Sequence, residues 1–205
     1  VIIGPVFADN ARMLRDIKPN NLPVLSFTSD VSALGDGVIS MALMPANGVE
    51  AIIHEMSSDN IKNFIIIAPD TNSGHFMAGA AKAASEYYSP ELNGVFFYQE
   101  SNPESIKDIA QSASMNEMRS AANTRARVVI SDILTNEQLN ILEKSNLNNQ
   151  LEKLSKKETI GGVPYDAVLF LGNANDSKTL ASFLRYYNIA ASDARFYGTT
   201  MWDGA

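Results

Sequence analysis

The sequence predicts an α/β protein with parallel sheets that carry helices on both faces. Continuous apolar runs are typical of strands buried on both faces of a parallel sheet. Helical stretches separate most of these runs, as the α/β class requires. Each run ends in small, hydroxylated or amide residues, and the five segments are 1–5, 24–30, 64–73, 167–175 and 196–200. Because ligands bind beyond the carboxyl ends of such strands, we expect a polar ligand site there.

Composition narrows the possible classes of protein. The chain has 205 residues, of which 45% are hydrophobic, and a net charge of −7. That charge, without a Lys/Arg cluster, argues against a nucleic-acid surface. The absence of cysteine excludes disulfides and thiolate metal sites and fits an export compartment. The sequence opens directly on a strand and stops just after another, so we expect an internal portion of a longer protein.

The first quarter of the chain is predicted to alternate strand and helix. Residues 8–18 form a predicted helix with Ala11, Leu14 and Ile17 on one face. A third extended run covers 38–44 and is stopped by Pro45. Helical spacing follows, with Asn47 as the predicted N-cap and Glu50 completing a capping box.

The remaining α/β pattern is more regular. A central strand covers 64–68, and the polar segment after it opens a helix over 75–87. A strand is predicted at 94–99 and a helix at 103–112, with Pro103 in the first turn. A strand at 166–171, a helix at 176–187 and a strand at 195–199 complete the pattern.

Residues 113–158 interrupt this pattern with a polar, helix-prone stretch. Two or three helices are predicted, and Leu147, Leu151 and Leu154 recur at a spacing of four and then three. Two interpretations stay open: the stripe packs on its own domain, or it binds a partner. We expect a helical projection in which one flank of the stripe stays available.

The polar residues at the strand ends also have purely structural interpretations. Asp70 caps the following helix in one of them, and Ser26, Thr28 and Ser29 are turn residues in another. His75 lies beside the segment 70–73, so a Ser–His–Asp arrangement can be written down, but no Gly-x-Ser-x-Gly motif supports it. We therefore expect no enzymatic activity, no cofactor and no metal site.

Five motifs in order resemble the type I periplasmic binding protein family, in its leucine/isoleucine/valine-binding-like branch. The similarity is greatest to the bacterial penicillin-binding protein activators, which carry a comparable helical stretch. The motifs are Ile3-Gly4-Pro5, Leu22-Pro23-Val24-Leu25-Ser26-Phe27-Thr28-Ser29, Ala68-Pro69-Asp70-Thr71, Tyr165-Asp166-Ala167-Val168-Leu169 and Tyr197-Gly198-Thr199. The resemblance implies Rossmann-like sheets in two lobes. Residues 1–44 would be an incomplete lobe one, 45–200 lobe two, and 201–205 the start of the return to lobe one.

The resemblance also implies a ligand site in the cleft between the lobes. Relatives hold an amino-acid carboxylate and ammonium with loops at the strand ends. Carried over by position, the binding residues would be Ser26, Thr28, Ser29, Pro45, Asn47, Asp70, Thr71, Ser73, Asn173, Thr199 and Trp202.

Two functions follow from the resemblance. The first is a solute-binding receptor of the ABC-transporter type, which binds a small polar ligand such as an amino acid and docks on the transporter's membrane subunits. The alternative is a penicillin-binding protein activator, which regulates peptidoglycan synthesis by contacting a synthase. Both imply a periplasmic protein without nucleic-acid partners, with a lipid anchor on a preceding segment as a further expectation.

Overall fold

The computed structural model describes residues 1–42 and 45–199. Its helices and strands alternate as the sequence predicts. The strands are β1 (Ile2–Ile3), β2 (Val24–Ser26), β3 (Val38–Ser40), β4 (Asn63–Pro69), β5 (Glu91–Tyr98), β6 (Ala167–Phe170) and β7 (Arg195–Gly198). The helices are α1 (Ala8–Ile17), α2 (Pro45–Ser58), α3 (Asn72–Tyr88), α4 (Pro103–Ala113), α5 (Asn116–Leu134), α6 (Ile141–Ser155) and α7 (Ala174–Tyr186), with a 3₁₀ turn at Val31–Ala33.

The first compact unit, Val1–Ala51, holds a parallel sheet of three short strands in the order β1-β2-β3. Val24 and Val38 are buried on one face, together with Ala11 of α1. The register pairs Ile3 with Leu25 and Leu25 with Ile39 on the opposite face, where both isoleucines are exposed. Ile17, predicted on one helix face with Ala11 and Leu14, is exposed whereas Ala11 is buried. This helix buries a narrower stripe than its apolar spacing suggests.

Helix α2 begins at Pro45, which suits a first helical turn because proline lacks the N–H that is unpaired there. Asn47 is therefore the third helical residue, and its prediction as the N-cap is wrong. The sequence signal failed because an Asn-x-x-Glu pattern occurs inside helices as well as at their starts.

The second unit, from Ile52 onward, contains a parallel four-stranded sheet in the order β5-β4-β6-β7. Every residue of β4 from Phe64 to Pro69 is buried, which confirms a central strand covered on both faces. Ile65 and Ile67 pack with α4 and α7 on one face. The buried side chains of α3, including Met77 and Ala81, lie against β4 and β5 on the other.

The predicted helical excursion is a pair of helices, α5 and α6. Helix α6 packs against α5, and α5 packs against α4. The Asn123 side chain donates to the carbonyl oxygens of Leu154 and Lys157, which fixes the end of α6 to α5. Leu147, Leu151 and Leu154 are only half-buried, so the stripe contacts its own domain without being enclosed by it.

Candidate ligand-binding site

The carboxyl ends of β4, β6 and β7 share one edge of the four-stranded sheet, because the strands are parallel and in register. Asp70, Thr71 and Ser73 follow β4, Asn173 follows β6, and Thr199 follows β7. The fold therefore brings five of the sequence-predicted ligand residues to one edge. This edge is the candidate site in the second unit.

Helix α3 starts at this edge with two backbone N–H groups that have no acceptor among the described residues. Thr71 is its N-cap, and the Thr71 Oγ1 accepts a hydrogen bond from the Gly74 N–H at 3.1 Å. In the part of the chain that the structure describes, the N–H groups of Asn72 and Ser73 have no hydrogen-bond acceptor. Unpaired donors at the positive end of a helix dipole suit a carboxylate or another anion. The cap is Thr71, so Asp70 is not used for capping.

Asp70 instead forms a pair with His75. The His75 Nε2 lies 2.8 Å from the Asp70 Oδ1, and both side chains are more than half exposed. The imidazole also packs on the Phe97 ring of β5, with the ring centroids 4.0 Å apart. Among the described residues, no hydrogen bond joins Ser73 to His75.

Asn173 is the N-cap of α7, and both the oxygen and the nitrogen of its side-chain amide form hydrogen bonds. Its Oδ1 accepts from the Asp176 N–H at 2.9 Å, and its Nδ2 donates to the Asp176 Oδ2 at 3.0 Å. Asp176 is only 6% exposed, and its carboxylate also faces the Ser101 N–H after β5 at 3.4 Å. This network ties two of the edge loops together, so Asn173 orders the edge as well as lining it.

Tyr98 lies directly beneath these loops and was not singled out by the sequence. It is fully buried, and within residues 1–42 and 45–199 its hydroxyl has no hydrogen-bond partner in good geometry. Burial, followed by the negative charges of Asp176 and Glu100, raises the pKa of the Tyr98 phenol. A tyrosine that ends an apolar strand gives no sequence signal of an unpaired hydroxyl.

The first unit places its predicted residues at the carboxyl end of β2. Ser26 and Thr28 are buried there, whereas Ser29 is exposed. The Ser26 hydroxyl donates to the Pro5 carbonyl at 2.8 Å and accepts from the Thr28 N–H, and the Thr28 Oγ1 accepts from the Asp30 N–H. These two hydroxyls thus shape the loop itself, as the turn interpretation expects.

Asp30 closes the same loop by pairing with Arg12 at 2.8 Å. Hydrogen bonds from the Ser32 hydroxyl, then from Arg12, lower the pKa of Asp30 to about 2.

Of the other predicted residues, Pro45 is the first residue of α2, and Asn47 is exposed in the first turn of this helix. Trp202 and the segment 201–205 lie outside the described residues, as does Met44 at the expected end of lobe one.

Comparisons with solved structures identify the architecture. No protein-family model matches the sequence, and no curated protein matches it at a significant level. The LpoA (YraM) C-domain from Haemophilus influenzae, a regulator of PBP1A, matches over 98% of this chain with a TM-score of 0.57 and 12% identity. The chain has the fold of the type I periplasmic binding proteins.

Transport-related structures share this fold. A solute-binding protein of an ABC transporter from R. palustris, in complex with 4-hydroxybenzoate, matches over 98% of this chain with a TM-score of 0.53 and 10% identity. A putative branched-chain amino acid ABC transporter from Rhodospirillum rubrum matches over 95% with a TM-score of 0.52 and 14% identity. At these identities the similarity establishes the fold alone.

The match covers only part of each solved structure. This chain spans 48% of the LpoA C-domain structure, 43% of the R. palustris protein and 50% of the R. rubrum protein.

Within residues 1–42 and 45–199, no helix is long and apolar enough to cross a membrane. The same residues contain no group of three or more His, Asp or Glu side chains placed to hold a metal ion.

Proposed function

We propose that this chain belongs to a non-enzymatic periplasmic receptor that binds a small polar ligand, in the manner of ABC-transporter solute-binding proteins. The observation that carries the proposal is the edge formed by Asp70, Thr71 and the free N–H groups of α3. A ligand carboxylate fits the two N–H donors, and a ligand ammonium fits the exposed Asp70 carboxylate. An amino acid has both groups, and the transporter's membrane subunits would then be its partner.

This proposal includes the division of the chain into lobes. Residues 1–44 are assigned to lobe one and 45–200 to lobe two, with the return to lobe one starting at 201–205. In lobe one, Ser29 is the best placed of the three predicted residues to meet a ligand, because Ser26 and Thr28 already hydrogen-bond within their own loop.

Calorimetric titration of the intact protein with leucine, isoleucine, valine and other polar metabolites tests the receptor function. We expect one or more of them to bind, and Asp70→Asn to weaken that binding about tenfold, because a charge-assisted hydrogen bond contributes about 1.5–3 kcal/mol. Asp108→Asn is the matched control, since Asp108 is an exposed carboxylate on α4 that is absent from the candidate edge. If no metabolite binds, or if both variants bind alike, the proposed site is wrong.

The α5–α6 pair favours a second candidate function, the regulation of a peptidoglycan synthase by protein contact. Ile141 and Leu142, at the start of α6, are 90% and 71% exposed. Val128 and Val129 on α5 are also more than half exposed. Exposed apolar clusters of this kind are common at protein–protein contacts, and the fold is shared with a regulator of PBP1A.

Capture of a purified peptidoglycan synthase by the intact protein tests this second function. We expect the double substitution of Ile141 and Leu142 by aspartate to reduce capture about tenfold or more, because hot-spot side chains contribute at least about 2 kcal/mol. The melting temperature should stay unchanged, since neither side chain is buried. Gln150→Asp adds a charge to the same helix without removing apolar surface and should capture normally. Equal capture by all three proteins would exclude this contact.

A further inference from the structure

Arg119 is a buried cation whose hydrogen-bond partners, within the described residues, are backbone carbonyl groups. It is the fourth residue of α5 and is 9% exposed. Its guanidinium donates to the carbonyl oxygens of Ser114, Gly161, Tyr187 and Asn188 at 3.0–3.3 Å. No acidic side chain forms an ion pair with it in the described part of the chain, whereas Arg12 and Arg195 both have such partners.

The carbonyl partners explain how this charge is tolerated. Ser114 is the C-cap of α4, and Tyr187 is the C-cap of α7. The carboxyl end of a helix carries partial negative charge, so two such ends offset a buried guanidinium. The four hydrogen bonds use one donor on Nε, two on Nη1 and one on Nη2. One of the five guanidinium N–H donors is therefore left for another acceptor.

Arg119 is one of the residues that line a cavity of about 660 Å³. That volume lies within the usual range of small-molecule sites. Lys156, Lys157 and Thr159 line it from the end of α6 onward, and Tyr186 and Asn188 line it from the end of α7. The cationic side chains outnumber the anionic ones by three to one, since Glu158 is the acidic residue in the wall. This is an unusual concentration of positive charge in a chain whose net charge is −7.

The two lysines differ in their partners. The Lys156 Nζ is paired with Glu152 at 2.6 Å. Lys157 has no ion pair among the described residues, although its backbone carbonyl is held by Asn123. Its backbone is thus fixed at the wall of the cavity while its ammonium stays free for a ligand. A fixed backbone lowers the entropy that is lost when the side chain binds.

We propose that this cavity binds a small oxyanion, a carboxylate or a phosphate group, between the free Arg119 N–H and the Lys157 ammonium. Guanidinium and ammonium groups recognise the same oxyanions through charge-assisted hydrogen bonds. This site is independent of the candidate edge, because none of its residues belongs to the strand-end loops. It requires no closure or partner chain, since all of its walls lie in one compact unit.

Nuclear magnetic resonance titration of the 205-residue chain tests this site, with inorganic phosphate and acetate as probes and chloride at matched ionic strength as the reference. We expect saturable shifts of the Thr159, Gly161 and Asn188 amides. Lys157→Gln should weaken the binding about tenfold, as the loss of one charge-assisted bond predicts. Lys153→Gln, on the exposed surface of α6, should bind as the wild type does.

The probes also identify the ligand class. Saturation with phosphate alone indicates a phosphate-bearing ligand, saturation with acetate alone indicates a carboxylate, and saturation with both supports a general oxyanion site. Shifts spread over surface lysines, or an equal response from both lysine variants, would mean an adventitious ion only. That result, or the absence of saturation, would overturn the proposal.

Discussion

Substitution of Gly74 by alanine should lower the free energy of unfolding by about 2–3 kcal/mol, the upper part of the range for overpacked sites. A Cβ at this position would lie 2.0 Å from the Pro69 carbonyl oxygen and 3.1 Å from the Pro69 Cγ. Neither partner can rotate away, because Pro69 is buried at the end of β4. The start of α3 would have to move, and the hydrogen bond from Gly74 to Thr71 would weaken with it.

Gly79, in the same helix, is the matched control. A Cβ there would meet nothing within 4 Å, so Gly79→Ala should raise the free energy of unfolding by about 0.5–1 kcal/mol through helix propensity. Guanidinium unfolding of both variants, compared by linear extrapolation, measures the difference. Two substitutions of identical chemistry should thus have opposite signs. Similar effects at both positions would contradict the close approach of α3 to Pro69.

Gly172→Ala should also destabilise the protein by about 1–3 kcal/mol, and Tyr98→Phe should restore most of that loss. The added Cβ would lie 1.9 Å from the Tyr98 hydroxyl oxygen and 3.2 Å from the Tyr98 Cζ. The tyrosine is fully buried and has no room to swing aside. Removal of the hydroxyl relieves the shorter of the two contacts, so the two changes should couple favourably in a double-mutant cycle.

Tyr98→Phe alone should leave the stability unchanged or raise it by up to about 1 kcal/mol, because the lost hydroxyl is buried without a well-aligned hydrogen-bond partner among the described residues. Tyr165 provides the comparison, since it is equally buried but its hydroxyl donates to the Ala113 carbonyl at 2.9 Å. Tyr165→Phe should therefore cost about 1–2 kcal/mol. Thermal and denaturant unfolding of the four variants check these values. A strictly additive double variant would contradict the clash between the added Cβ and the hydroxyl, whereas a costly Tyr98→Phe would show that the hydroxyl has a partner in solution.

The sequence predicted the order of strands and helices because each apolar run has a length and composition that suit one element. The run at 64–68 could only be a central strand, and Pro103 marked the start of α4 as it does in the structure. The strand register, the sheet order and the burial of individual residues were harder to predict from the sequence. Ile17 has the spacing of a buried residue but is exposed, because a three-stranded sheet of short strands offers little surface to cover it.

The sequence predicted which residues meet at the strand ends of the candidate site, but it did not predict their side-chain contacts. Strand-end position placed Asp70, Thr71 and Asn173 together, since parallel strands leave their carboxyl ends on one side. Which residue caps the helix, and that His75 stacks on Phe97, depend on side-chain geometry that spacing does not encode. Arg119 was missed for a related reason: an arginine in a polar helical stretch is expected to face solvent, and its burial follows from the convergence of two helix ends.

The three-stranded sheet affects how the chain behaves at high concentration. Nine of the nineteen exposed large hydrophobic side chains among the described residues lie before Ile52, including Ile3 and Ile39 on the uncovered sheet face. Such a face favours association between molecules, whereas strands of only two or three residues offer few backbone groups for edge pairing. Self-association of the isolated chain would therefore proceed through side-chain contact, and it would respond to dilution and mild detergent more than to agents that compete for hydrogen bonds.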